Sequence, residues 1–144
     1  MQILAALFIE GIDLRQVPGP STRIDLTGVQ FSGPAPQPVP VTIEPHLVVM
    51  VHCPVGGRST GALEVVYRRP AGGQQAGEPQ AGEQQEGEQI ARNVQPLEVE
   101  PGKFNYRLVR AELEFEEYET VEAHCRVDLG PVTVVPYTLL PPVP

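Results

Sequence analysis

Two dipeptides carry the side chains best suited to chemistry, His52-Cys53 and His124-Cys125. Two imidazoles and two thiolates are the ligand set of a tetrahedral zinc site. Both dipeptides lie in stretches that read as strands, HLVVMVHC and TVEAHCRV. Adjacent strand residues point to opposite faces, so the cysteines can meet on one side or the histidines on the other, but all four converge only with bulges. Neither dipeptide has the C-x-x-C spacing of a zinc or redox site. A catalytic cysteine needs an exposed thiolate beside an imidazole. On inward faces these two read instead as packed thiols with surface histidines. No G-x-S-x-G elbow, P-loop, dinucleotide glycine pattern or H-E-x-x-H occurs.

The second cluster is acidic. Glu112, Glu114, Glu116, Glu117, Glu119 and Glu122 place six carboxylates within eleven residues. Carboxylate pairs serve acid–base catalysis, and converging ones bind calcium. The stretch lacks the Asp/Asn/Gly pattern of a calcium loop. It reads as a solvated, self-repelling face that discourages edge-to-edge strand pairing, and as the candidate docking face for a basic protein partner. No catalytic residue, metal ligand or cofactor is assigned.

The element that must position these groups is Phe104 to Leu129, FNYRLVRAELEFEEYETVEAHCRVDL. Val109, Ala111, Leu113 and Phe115 alternate with Arg110, Glu112 and Glu114. Val121, Ala123, Cys125 and Val127 alternate with Glu122, His124 and Arg126. The pattern predicts two long strands folded into a hairpin around an acidic turn, each with one oily face that the rest of the chain must cover. Cys53 and Cys125 also suit an inter-sheet disulfide of the immunoglobulin kind. The chain has no tryptophan, however, and Ala123 stands where that fold places a tyrosine. Whether the two cysteines pair stays open.

Elsewhere, Gln2 to Ile9 reads as a first strand and Arg23 to Phe31 as a second, with Ile24, Leu26, Val29 and Phe31 inward and Gly28 at a bulge. Ser32 to Pro40 has four prolines in nine residues, an extended connector between sheets. His46 to Cys53 and Gly61 to Arg68 read as a hairpin. Residues 70–89 contain no large apolar side chain and repeat roughly every five residues (AGEPQ, AGEQQ, EGEQ), a disordered low-complexity loop. Ile90 to Val99 and Val132 to Leu140 complete the set; Pro96 places the first at an edge or a break, and Pro136 the second at an edge or a bulge. The count is about eight strands and no helix.

The whole chain bounds the answer further. Its 144 residues suit one domain spanning 1–144, and 17 prolines with 14 glycines suit short strands joined by turns. A net charge of −8 argues against nucleic acid and against an anionic membrane surface. The apolar run Ile3 to Ile9 has no basic residue before it and Glu10 directly after it, unlike a signal peptide. The expectation is a cytoplasmic protein with reduced thiols.

An opening strand ILAALFIEG, a strand carrying IDLTGV, a proline-rich crossing and the long PGKFNYRLVRAELEFEEYETVEAHCRVDLG together resemble a family of small uncharacterised bacterial β-sandwich domains. The resemblance covers the chain outside 70–89. Glu116-Glu117 depart from it where a glycine is expected. It implies a fold and carries over no site. The expected object is all-β: a single antiparallel β-sandwich of about eight strands, immunoglobulin-like or Greek-key. The expected role is a non-enzymatic binding or structural module acting on a protein partner or on itself, through a sheet edge, loop tips or the acidic face. The alternatives are a metal- or ligand-binding sandwich using the His, Cys and Glu groups, and a virion-type structural protein.

Overall fold

The computed structural model describes residues 1–19, 21–70 and 87–144, and twelve strands with no helix run through them. In chain order these are β1 (Gln2–Ile9), β2 (Gly11–Val17), β3 (Ser21–Thr27), β4 (Ser32–Pro34), β5 (Val41–Ile43) and β6 (His46–His52). There follow β7 (Thr60–Arg68), β8 (Gln89–Glu98), β9 (Phe104–Arg110), β10 (Leu113–Phe115), β11 (Thr120–Val127) and β12 (Thr133–Leu140). They form four sheets: β1-β6-β9, β4-β12-β11-β7-β8, and the pairs β10-β5 and β2-β3. All neighbours are antiparallel except β4, which runs parallel to β12.

One hydrophobic cluster draws on both larger sheets. Phe8, Leu47, Val49, Val51 and Val109 come from the three-stranded sheet. Leu63, Val65, Tyr67, Ala123, Cys125 and Leu139 come from the five-stranded one. Leu113, Phe115 and Val41 enter from the β5–β10 pair. Each fully buried aliphatic or aromatic side chain contributes roughly 1.5–3 kcal/mol of burial free energy. Phe8 and Tyr137 meet edge-on at 5.3 Å and tie β1 to β12.

The alternation within 104–129 is as expected, but the pairing is not. Val109, Leu113, Phe115, Val121, Ala123, Cys125 and Val127 are all buried. Yet β9 pairs with β6, β10 with β5, and β11 with β7 and β12, so this stretch is no hairpin. Two strands with inward oily faces satisfy the same pattern whether they lie side by side or in separate sheets, and here β9 and β11 belong to different sheets that feed one core. The expected hairpin of 46–53 with 61–68 fails in the same way: β6 and β7 belong to different sheets.

The second strand also differs. The turn near Pro18-Gly19 joins β2 to β3, so Gly11–Val17 is a strand of its own. Val29 and Phe31, expected inward, are 44% and 58% exposed. Gly28 has φ +64 just after β3, and a Cβ there would meet the Glu10 side chain at 2.5 Å. β8 is a sheet edge, as its proline suggests. β12 is not, because β4 covers Thr138 to Leu140; Pro136 lies before that cover begins. Of the expected 70–89 loop, residues 71–86 lie outside the described residues. At its foot the ladder is closed, with Arg69 N–H donating to Glu88 O at 2.9 Å.

Candidate functional site

Strand parity separates the two His-Cys pairs. Cys53 and Cys125 are fully buried and unpaired as thiols, while His52 and His124 are half-buried on the outward faces. The Cys53 thiol donates to Arg58 O at 3.4 Å. Burial pushes the Cys125 thiol up to about 12, the opposite of an activated nucleophile. His124 Nε2 lies 3.4 Å from Glu122 Oε1. Among the described residues, no three His, Cys, Asp or Glu groups converge to hold a metal ion.

The six glutamates do not form one face. Glu112 lies between β9 and β10, Glu114 on β10, and Glu116 and Glu117 in the loop before β11; all four are exposed. Glu119 is taken up by Arg69, whose Nε–H donates to Oε1 at 2.7 Å. The same guanidinium donates to Glu88 and to the Glu114 carbonyl, each at 3.1 Å. Arg69 therefore ties the ends of β7, β8 and β10 to the approach of β11. Glu119, then burial and Glu88, set the balance that raises its pKa. Glu122 sits on the outer face of β11 beside His124. Only Glu112, Glu114, Glu116 and Glu117 remain as an open acidic tip.

Three features were not read from the sequence. The first is an ion network on the outer face of the five-stranded sheet. Arg92 Nη2 and Arg126 Nε donate to the two Glu64 oxygens at 2.7 and 2.9 Å. Glu64 is held below the usual carboxylate range, by Arg92 first. Its partners stand on neighbouring strands, so the signal is cross-strand register and not spacing along the chain.

The second feature is a seam between β8 and β9, the edges of the two larger sheets. Side chains close it in place of a backbone ladder. Gln95 Nε2 donates to Leu108 O at 3.2 Å, Asn105 Nδ2 to Glu98 O at 3.1 Å, and Arg107 Nε to Pro96 O at 3.4 Å. The expected strand addition along 90–99 would have to displace these bonds. The foot of the seam opens into a groove of about 450 Å³, where Glu98, Glu100, Lys103 and Arg107 cancel in formal charge.

The third feature is the β2–β3 ribbon. It pairs with no other sheet and makes at most glancing contact with the other strands. Its register sets Ile12 opposite Leu26 and Leu14 opposite Ile24 on one face, and Asp13 opposite Asp25 and Arg15 opposite Arg23 on the other. Arg15 and Asp25 form an ion pair across the charged face, with Nη2 donating to Oδ1 at 3.1 Å. On the apolar face Leu14 is 52% exposed, and Ile12, Ile24 and Leu26 are half-buried. At its root, Glu10 N–H donates to Thr27 O and Gly28 O, and Gln30 N–H to Phe8 O, so the ribbon grows directly out of β1.

The outer face of the three-stranded sheet is apolar too. Its rows across β1, β6 and β9 are Gln2–His52–Phe104, Ala5–Met50–Tyr106, Leu7–Val48–Leu108 and Ile9–His46–Arg110. These rows contain no carboxylate, in a chain of net charge −8. On this face Phe104 is 53% and Leu108 37% exposed, whereas Val48 and Ile9 are buried.

No family model matches the chain, and neither does any curated protein or solved structure. The residues therefore define a class and no closer identity: an all-β protein of several antiparallel sheets with a projecting two-stranded arm. Among the described residues no helix is long and apolar enough to cross a membrane.

Proposed function

We propose that this chain is a non-enzymatic assembly module, built on a single β-sandwich, that engages protein surfaces through the β2–β3 arm. The observation that carries this reading is the arm itself. A lone two-stranded ribbon is marginal in water, because it has no second layer over its apolar face. Ile12, Leu14, Ile24 and Leu26 share a face over which, among the described residues, no other strand is packed. A partner that supplies the missing layer explains both the ribbon and its patterning. The open acidic tip at Glu112–Glu117 adds a polar contact for a basic surface. A virion-type structural protein is the form of this reading in which the contact repeats through many copies.

The test is to replace residues 12–26 by a two-glycine turn joining Gly11 to Thr27. The shortened chain should melt within a few degrees of the parent and form smaller species in gel filtration with light scattering. A large fall in melting temperature would make the arm part of the scaffold and overturn the reading.

A further inference from the structure

We infer that the first half of β12 is a strand-accepting edge, where an extended, uncharged peptide of about five residues adds to the five-stranded sheet and places side chains in the groove between β12 and β1. The site lies at the opposite end of β1 from the β2–β3 arm and does not depend on the arm's role.

The two larger sheets approach each other along two seams. The β8–β9 seam is bridged by side chains. The other brings β1 against β12. Near the end of β1 the chain itself bridges this second seam. Gln30 N–H donates to Phe8 O at 2.9 Å, Thr138 N–H to Phe31 O at 2.9 Å, and Ala35 N–H to Leu140 O at 2.8 Å. The stretch from Gln30 to Ala35 therefore bonds to both strands. Near the start of β1 no such stretch is present among the described residues. There a groove of about 410 Å³ opens between residues 1–3 and the start of β12.

Strand parity shows which backbone groups face the gap. Leu139 N–H donates to Glu119 O beside β11, whereas Thr138 N–H and Leu140 O turn the other way. The alternation runs along an antiparallel ladder, so Val134 N–H, Val134 O and Pro136 O also turn away from β11. β4 covers only Thr138 to Leu140, so these three groups have no strand partner among the described residues. Pro136 sits where an N–H would point into the gap, so it costs the β11 ladder nothing. β1 is the poorer edge. Its register to β6 shifts between Ile3 and Ala5, with Leu4 56% exposed, and such a bulge interrupts pairing.

The groove sets the chemistry of the occupant. Its lining includes Gln2, Ile3, Val127, Pro131 and Thr133, and none of the lining side chains ionises. A charged side chain would lose its water there and gain no counter-ion. The chain's own bridging stretch follows the same rule: Gly33, Pro34 and Ala35 are uncharged, and Ala35 is buried in the core. Opposed residues in a ladder share a face, so the peptide residue paired with outward-facing Val134 points outward and its two neighbours point into the groove.

The probe is an acetylated, amidated Thr-Val-Thr-Val-Thr peptide, titrated into the full chain, with threonines to pair and valines to enter the groove. It should saturate at millimolar concentration or below, shift the amide resonances of Thr133 and Val134, and slow hydrogen exchange at Val134 roughly tenfold. Val134→Pro repeats what Pro136 already does two residues on; it should keep the parent's circular dichroism and weaken binding roughly tenfold. The peptide N-methylated at its threonines tests pairing with the protein unaltered, and it should not bind. Neither should Thr-Glu-Thr-Glu-Thr. Undiminished binding by the Val134→Pro chain or by the N-methylated peptide overturns strand addition. Undiminished binding of the glutamate peptide overturns the uncharged occupant. A parent that shows no saturable binding overturns the site. So does a Val134 amide already protected in the parent alone, because a second copy or another part of the chain then covers the edge.

Discussion

The β10–β11 segment and the β2–β3 arm are written in the same sequence pattern, and the molecule treats them oppositely. Leu113, Phe115, Val121, Ala123 and Cys125 alternate with polar residues and are at most 1% exposed. Ile12, Leu14, Ile24 and Leu26 also alternate with charged or polar residues, yet none of them is fully buried and Leu14 is exposed. The first pattern is covered because its side chains enter the core shared by the two larger sheets, although β10 itself has one ladder, to β5. The second has one ladder and no facing layer. Alternation states that a face needs cover and is silent on what supplies it.

The contrast can be broken most severely in the covered region. Leu113→Ala or Phe115→Ala should each cost ~2–5 kcal/mol in denaturant unfolding, from lost burial plus a cavity. A cost under about 0.5 kcal/mol would place those side chains at the surface. Tyr67→Phe should move the other way. The Tyr67 hydroxyl is buried with no hydrogen-bond partner among the described residues, so removing it should stabilise the fold by about 1 kcal/mol. Destabilisation would mean that the hydroxyl has a partner, such as a bound water.

A smaller effect lies on the acid side. Glu64 is held below its ordinary 4.5 by Arg92 and, after the opposing cost of burial, Arg126. A depressed carboxylate adds stability that is complete above its unfolded value and is lost as pH falls through its folded one. Glu64→Gln should therefore lose less stability than the parent as pH falls below the ordinary carboxylate range, read from urea midpoints. Equal acid slopes would remove Glu64 from the pH response. Smallest of all, Leu14→Asp should change the unfolding free energy of the isolated chain by less than about 0.5 kcal/mol, as surface substitutions do. A loss comparable to Leu113→Ala would show the arm to be covered after all.

Much of the fold was legible. β1, β6, β7, β8, β11 and β12 fall where the runs of Val, Ile and Leu place them, and the inward parity at Leu113 and Cys125 holds. Pairing was not legible, because alternation is local while partners are distant: Leu47 faces Val109 and Cys125 faces Val65. Gly11–Val17 was missed because Asp13, Arg15 and Gln16 dilute the apolar signal that an interior strand would carry. The acidic cluster was visible as composition. That Arg69 would consume Glu119 was not, since fifty positions separate them and only the fold brings them to 2.7 Å.

The parallel contact of Ser32–Pro34 with Thr138–Leu140 fixes when this protein can finish folding. During synthesis, β4 leaves the ribosome about a hundred residues before β12, its ladder partner. Tyr137, which closes on Phe8, emerges equally late. The five-stranded sheet thus completes only after Thr133–Leu140 has emerged, and until then Phe8 lacks its edge-on partner. Nascent chains stalled before residue 133 should accordingly be the species that chaperones hold longest.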